Sequence, residues 1–128
     1  MSALYERAQR MRSTLWALVL PPTIWAAHFL FCYVLAAIYC AKAGALAPLA
    51  AVRAGIGLAT AVALAGVLAA GYVAWAKSRI PGAPPPHDDS TDEDRARFLA
   101  TATLLLAALS FVAIVFTALP ALVIEDCR

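Results

Sequence analysis

This chain has little charge: only 14% of its 128 residues are Asp, Glu, Lys or Arg, while 63% are hydrophobic. A soluble domain is typically about 25% charged. The net charge of +2 is also too small to indicate a nucleic-acid partner. These shortages argue against an ordinary soluble domain and against a nucleic-acid-binding protein.

Residue patterns that carry out chemistry are missing as well. The sequence has no Ser-His-Asp set, no cluster of metal ligands and no glycine-rich phosphate loop. No acidic residue lies within its apolar runs, whereas a small proton-coupled transporter needs one. We therefore expect a protein that is not an enzyme, with no metal site and no cofactor bound by this chain alone.

What the chain does contain is three long apolar runs, at residues 14–40, 54–76 and 98–121. About 20 helical residues cross a hydrocarbon core roughly 30 Å thick. The sequence therefore predicts an all-α membrane protein with three transmembrane helices, which we call spans 1, 2 and 3. Span 1 covers residues 13–40, span 2 covers 49–76 and span 3 covers 96–121.

The distribution of Lys and Arg predicts the orientation of these spans. Cytoplasmic segments carry the excess of positive charge. Seven of the ten positive residues lie before span 1 or around the connection between spans 2 and 3, and three lie on the other side. We expect a bacterial inner-membrane protein with a cytoplasmic N-terminus and a periplasmic C-terminus. Its connecting segments are a cytoplasmic amphipathic segment (1–12), a periplasmic loop (41–48), a cytoplasmic loop (77–95) and a periplasmic tail (122–128).

Cysteine positions agree with this orientation. Cys40 ends span 1 and Cys127 is the penultimate residue, so both thiols are expected on the oxidising face of the membrane. A Cys40–Cys127 disulfide is the prediction. The alternative is two unrelated thiols, since a sequence does not show whether their Cα atoms lie within about 7 Å. Cys32 is expected to be a free, small, apolar filler.

Local signals qualify the three spans. Pro21 and Pro22 predict a kink in span 1, or else a shorter span that starts at Pro22. Span 2 is rich in glycine and alanine, which allow helices to approach closely in lipid.

Ser90 or Thr91 is expected to cap a helix whose first turn holds Asp92, Glu93 and Asp94. His87, beside two aspartates, is either a solvated loop residue or a weak metal ligand.

His28 is the only residue other than cysteine and tyrosine that can ionise deep inside a span. Because such a side chain is costly in hydrocarbon, it should face a partner helix. Pro21, Trp25, Cys32 and Tyr39 fall on the same side of span 1 at 100° per residue. Span 3 presents three hydroxyls spaced by seven, and we expect one of them, with Ser110 at the depth of His28, to bond the imidazole. The hydroxyls belong to Thr103, Ser110 and Thr117.

Three roles remain open for His28 at this point. The first role is a structural hydrogen bond. The second is contact with a partner subunit or with that subunit's cofactor, and the third is direct ligation of a haem as a single axial histidine. A bis-histidine haem would need a second buried ligand, which the chain does not offer.

Two stretches of sequence resemble a known family. Span 1 reads LWALVLPPTIWAAHFLFCYVLAAIYC and the chain ends FTALPALVIEDC before the last residue. Both are similar to small three-span bacterial membrane proteins found alongside haem-copper cytochrome c oxidase subunits. The positions carried over are Trp25, His28, Tyr33, Cys40 and Cys127. The resemblance implies an accessory subunit of a respiratory oxidase.

We therefore expect a non-catalytic accessory subunit that packs, with lipids, against larger membrane subunits of a respiratory complex. Haem and copper would reside in those partner subunits. An assembly or metal-delivery factor is the alternative, and a small transporter or channel is the third. The residues predicted for polar packing inside the membrane are Trp25, His28, Tyr33, Thr103, Ser110 and Thr117.

Overall fold

A computed structural model describes residues 2–78 and 92–127, and its regular elements over those residues are all helices. They are α1 (Ser2–Ala43), α2 (Ala50–Ser78), α3 (Asp92–Ala118) and the short α4 (Pro120–Val123). Three stretches are long and apolar enough to span a membrane, at Leu15–Ala43, Ala50–Ala76 and Asp94–Val123. The predicted multi-span, all-α class is confirmed. The predictions for His87, Ser90 and Thr91 lie outside the described residues.

Helix α1 is longer than expected. The sequence predicts a cytoplasmic amphipathic segment at 1–12, and in the structure the helix is continuous from Ser2 into span 1. The physical reason is that neither glycine nor proline lies between residues 2 and 20 to interrupt the helix. Pro21 and Pro22 also lie inside α1, so the shorter span starting at Pro22 is not what forms. The helix ends before Gly44, whose φ of 87° is the left-handed conformation that favours glycine.

Consecutive helices run antiparallel, as contacts along α2 show. A Cβ atom placed on Gly55 would lie 3.1 Å from Leu35 Cδ2, and one on Gly66 would lie 3.3 Å from Ile24 Cδ1. As α2 advances from Gly55 to Gly66, its neighbour on α1 therefore moves back towards the N-terminus. Glycine at these positions lets α1 approach α2 closely, which is how small residues act in membrane helices.

The core of the bundle forms where all three long helices meet. Val67 of α2 and Ile114 of α3 are fully buried, and Ala63 and Ala107 fill the space between them. Ile24 of α1 packs against this cluster. A second buried cluster lies near the start of α2 and consists of Cys32, Val52 and Ile56.

The third long helix begins at Asp92, so Asp92, Glu93 and Asp94 form its first turn as predicted. Helix α3 ends at Ala118, and α4 begins at Pro120. Proline has no N–H to donate, so the hydrogen-bond ladder is interrupted here, although Leu119 keeps helical backbone angles (φ −54°, ψ −43°). Ile124 N–H then bonds Pro120 O at 2.9 Å and closes α4.

Candidate functional site

The buried polar centre of the bundle is His28, which is only 5% exposed. Its Nε2 lies 2.9 Å from Thr60 Oγ1 on α2. Thr60 donates its own hydroxyl proton to Ile56 O at 2.7 Å. Since that proton is committed, the hydroxyl oxygen accepts from histidine. This pattern assigns the imidazole proton to Nε2 and leaves Nδ1 with a lone pair.

The hydroxyl that meets His28 was predicted to come from span 3, with Ser110 at the matching depth. That prediction is wrong, because the partner is Thr60 on span 2. The sequence contained the signal: Thr60 is the only Ser or Thr between residues 49 and 76. The short loop 41–48 makes spans 1 and 2 a tight hairpin, which brings position 28 level with position 60.

Cys32 completes the group that we call the His28 cluster, which consists of His28, Cys32 and Thr60. Cys32 Sγ lies 3.4 Å from His28 Nε2, one turn further along α1. The thiol is free and buried, as predicted. His28 Nδ1 is buried without a hydrogen-bond partner among the described residues. An unpaired buried polar atom costs about 1–3 kcal/mol, so the cluster is held by packing as well as by its hydrogen bond.

Direct haem ligation is not supported by this arrangement. Nε2 is occupied by Thr60, and the whole side chain is enclosed by its own bundle. Over residues 2–78 and 92–127, no group of three or more His, Cys, Asp or Glu side chains comes together as a metal site.

The hydroxyls of α3 serve their own helix. Thr103 is buried and donates to Leu99 O at 2.7 Å, and the half-buried Thr117 donates to Ala113 O at 2.8 Å. Ser110 is also buried. All three lie inward as predicted, but two of them have their protons directed at backbone carbonyls one turn back.

Trp25 and Tyr33, which are predicted to take part in polar packing inside the membrane, are both exposed on the surface of this bundle, Trp25 by 36%. They form, with Phe29 between them, what we call the aromatic ladder. Trp25 and Phe29 have ring centroids 6.2 Å apart, and Phe29 and Tyr33 are 6.5 Å apart. Tyr33 is 66% exposed. Helical spacing explains the increase in exposure along the ladder: Phe29 and then Tyr33 lie progressively further from the side that carries Cys32, whereas Trp25 lies near that side and is 36% exposed.

The predicted disulfide is confirmed. Cys40 and Cys127 are bonded, with Cα atoms 5.6 Å apart. We call this part of the molecule the disulfide end. Here the Tyr39 hydroxyl donates to Pro48 O at 2.7 Å, and Arg53 Nη2 donates to Leu122 O at 3.3 Å. The tail is thus fastened to both α1 and α2.

A pocket of about 360 Å³ opens beside the disulfide end. Phe29, Cys32 and Tyr33 of α1 form one wall, and Val52 and Ile56 of α2 form another. The disulfide, Arg53, Asp126 and residues of the segment 117–124 complete the lining. Its volume falls within the range of about 300–1,000 Å³ for small-molecule sites, so it is large enough to receive a ligand.

The opposite end of α3 holds a feature that sequence reasoning missed. Asp94 and Arg97 are both buried and lie 3.7 Å apart, from Arg97 Nη1 to Asp94 Oδ1. The sequence predicts Asp94 in the first turn of a helix and counts Arg97 among the positive charges that indicate orientation. The signal available was their spacing of three residues, which places opposite charges side by side on a helix.

Comparison of the chain with family models, with curated proteins and with solved structures found no match.

Proposed function

We propose that this chain is a non-catalytic accessory subunit of a respiratory membrane complex, with a haem-copper terminal oxidase as the leading candidate. It would pack in the bacterial inner membrane against larger subunits that hold the haem and copper. The observation that carries the proposal is the exposed aromatic ladder on α1. The oxidase itself is favoured by the sequence resemblance alone.

The position of the ladder supports packing against another protein. Of the three spans, span 1 is covered least by its own bundle. In its most apolar stretch 11% of the residues are buried, compared with 17% in span 2 and 28% in span 3. It also carries Trp25, Phe29 and Tyr33 as a continuous outward stripe. Large aromatic side chains concentrate at interfaces because they bury much area at small entropic cost.

A pair of matched double variants tests this proposal. Trp25→Ala with Tyr33→Ala removes the ends of the ladder. Trp75→Ala with Tyr72→Ala removes the same residue types from α2, where Tyr72 is 68% exposed. After extraction in mild detergent, the first variant should lose most of the haem-containing complex that copurifies with wild type. The second should retain it.

Equal retention by the two variants would contradict the proposed docking face. Isolation of wild type only as a stable haem-free homo-oligomer would contradict the accessory role itself. Retention of the complex by the α2 variant also serves as evidence that aromatic loss alone does not disrupt the bundle.

The proposed orientation has the N-terminus in the cytoplasm and the C-terminus in the periplasm. The excess of Lys and Arg near the N-terminus and in the 77–97 region supports it, as does a disulfide that needs an oxidising compartment. In intact cells, a membrane-impermeant thiol reagent should label Cys127 after mild reduction but should not label a cysteine introduced by Ser90→Cys. Labelling of both from outside would contradict the orientation.

Metal delivery during assembly is the second candidate, and one observation favours it: the Cys32 thiol and the His28 imidazole lie together. Thiolate and imidazole are ligands that soft metals such as Cu(I) accept. Cys40 and Cys127 are less suited, since a disulfide offers no thiolate. Copper bound by wild type and lost in Cys32→Ser would favour this function. Copper binding unchanged in that variant would remove its structural basis.

A further inference from the structure

The segment that follows α3, residues 120–127, lies over the region of the bundle that holds the free thiol. Residues of this segment line the pocket at the disulfide end, and Cys32 lines the same pocket. Ala121 also packs against the buried cluster that contains Cys32, and Cys32 itself is only 6% exposed. We call residues 120–127 the strap, because they cross this part of the molecule and are bonded to α1 at their far end.

The strap is joined to α3 at a weak point in the helical ladder. Pro120 has no N–H to donate, so the backbone hydrogen bonds that continue along α3 are interrupted where the strap begins. At its other end, Cys127 is bonded covalently to Cys40 of α1. The strap therefore has a natural hinge at one end and a reducible bond at the other.

Hydrogen bonds between the strap and the rest of the bundle are long. Arg53 Nη2 donates to Leu122 O at 3.3 Å, and Leu49 N–H donates to Glu125 O at 3.4 Å. N–H···O bonds in proteins usually measure about 2.7–3.2 Å, and they weaken as they lengthen. We therefore expect the disulfide to be the main restraint on the free end of the strap.

Reduction of this disulfide needs a dithiol that can approach its sulfur atoms. Cys40 and Cys127 are half-buried, and both line the pocket, so a small dithiol has a route to them. One thiolate of the dithiol bonds to one sulfur and releases the other, and the second thiol of the reagent then displaces the first. Two electrons and two protons pass to the two cysteines, and the dithiol becomes a disulfide.

We propose that the strap is a redox-controlled cover for the Cys32 thiol. While the Cys40–Cys127 bond is intact, the strap stays closed and Cys32 is protected. When a dithiol reduces the bond, the strap moves away about Pro120 and Cys32 becomes accessible. Since Cys32 is the member of the His28 cluster that lines the pocket, the strap controls approach to that cluster. The proposal does not depend on the accessory role, because every contact that carries it lies within this chain.

Labelling of the full chain with N-ethylmaleimide in mild detergent tests the proposal. The chain has three cysteines and two are bonded, so oxidised wild type has a single free thiol. The double variant Cys40→Ser with Cys127→Ser keeps that thiol and lacks the bond, and mass spectrometry should show that its Cys32 reacts several-fold faster. Wild type reduced with dithiothreitol should give the fast rate at Cys32, and reoxidation before labelling should restore the slow rate.

Ser110 provides a matched control, because it is 5% exposed and does not line the pocket. Ser110→Cys is combined with Cys32→Ala, once with the disulfide present and once with both of its cysteines changed to serine. The thiol at position 110 should react equally slowly in the two forms. Equal acceleration at positions 32 and 110 would overturn the proposal, since it would show a general loosening of the bundle. An unchanged rate at Cys32 without the bond would also overturn it, as would a bond that dithiothreitol does not reduce in the folded protein.

Discussion

At the scale of single residues, the free-energy cost of burying the His28 imidazole is offset mainly by its hydrogen bond to Thr60. Nε2 donates to Thr60, and Nδ1 has no partner among the residues that the structure describes. Hydrogen bonds between membrane helices contribute about 0.6 kcal/mol on average and rarely above 1.7 kcal/mol. The imidazole is therefore tolerated inside the bundle because α2 supplies a hydrogen-bond acceptor at the right depth. Removal of that acceptor should lower the stability of the bundle.

Thr60→Val should destabilise the bundle by about 1–2 kcal/mol, because it leaves Nδ1 of His28 without a described partner and Nε2 with only the weak contact to Cys32 Sγ at 3.4 Å. Titration of the protein from mild detergent into sodium dodecyl sulfate, followed by tryptophan fluorescence, measures the change. Thr103→Val is the matched control. Thr103 is also buried, but its hydroxyl serves only the carbonyl of Leu99. Equal losses in the two variants would show that the contact with His28 contributes nothing.

At the scale of elements, α2 is the helix that lets the bundle close. The sequence predicts that the many glycines and alanines of span 2 allow close approach, but in the structure its glycines differ from one another. Gly55 and Gly66 are approached closely by side chains of α1, while no atom lies within 4 Å of a Cβ placed on Gly57. The packing face is therefore defined by particular small residues and not by general richness in alanine.

Gly55→Leu should separate α1 from α2, since even the first carbon of the new side chain would lie 3.1 Å from Leu35 Cδ2. A crowded helix contact of this kind typically costs about 1–3 kcal/mol. Gly57→Leu adds the same side chain where there is space and should leave stability unchanged or slightly raised, since leucine favours helix over glycine. The same detergent titration compares them. A ranking in the opposite order would contradict the helix pairing described above.

Much of the element structure could be predicted from sequence, because it depends on local signals. The length of the apolar runs predicts the spans, and three acidic residues in a row predict where α3 begins. Which side chains meet across helices could not be predicted as well. Helical spacing placed His28 inward, but it did not say which neighbouring helix would reach it. The Thr60 contact was missed because it depends on how helices are placed against one another, and the same is true of the burial of Asp94 and Arg97, although their spacing of three residues is a local signal.

At the scale of the whole molecule, the disulfide links residues 87 positions apart and closes a loop that contains spans 2 and 3 and begins at the end of span 1. For a flexible chain, closure of a loop of that length would stabilise the fold by roughly 4–5 kcal/mol. In a bilayer, helices that have come apart from one another remain helical. The disulfide therefore removes much less conformational entropy from that state than it would from a flexible chain. The effect of the bond should then be mainly on how far the end of α3 can move from α1.

Cys127→Ser should therefore lower the stability of the bundle by only about 1–2 kcal/mol, well below the value for a flexible chain. Reduction of wild type should have the same effect, measured by the detergent titration in oxidised and reduced samples. Cys32→Ser controls for other thiol effects, and its stability should not respond differently to reduction than wild type does, because Cys32 takes no part in the bond. A loss near the full 4–5 kcal/mol would mean that the helices unfold when they separate. No loss would mean that the hydrogen bonds from Arg53 to Leu122 O and from Leu49 N–H to Glu125 O hold the disulfide end closed without the bond.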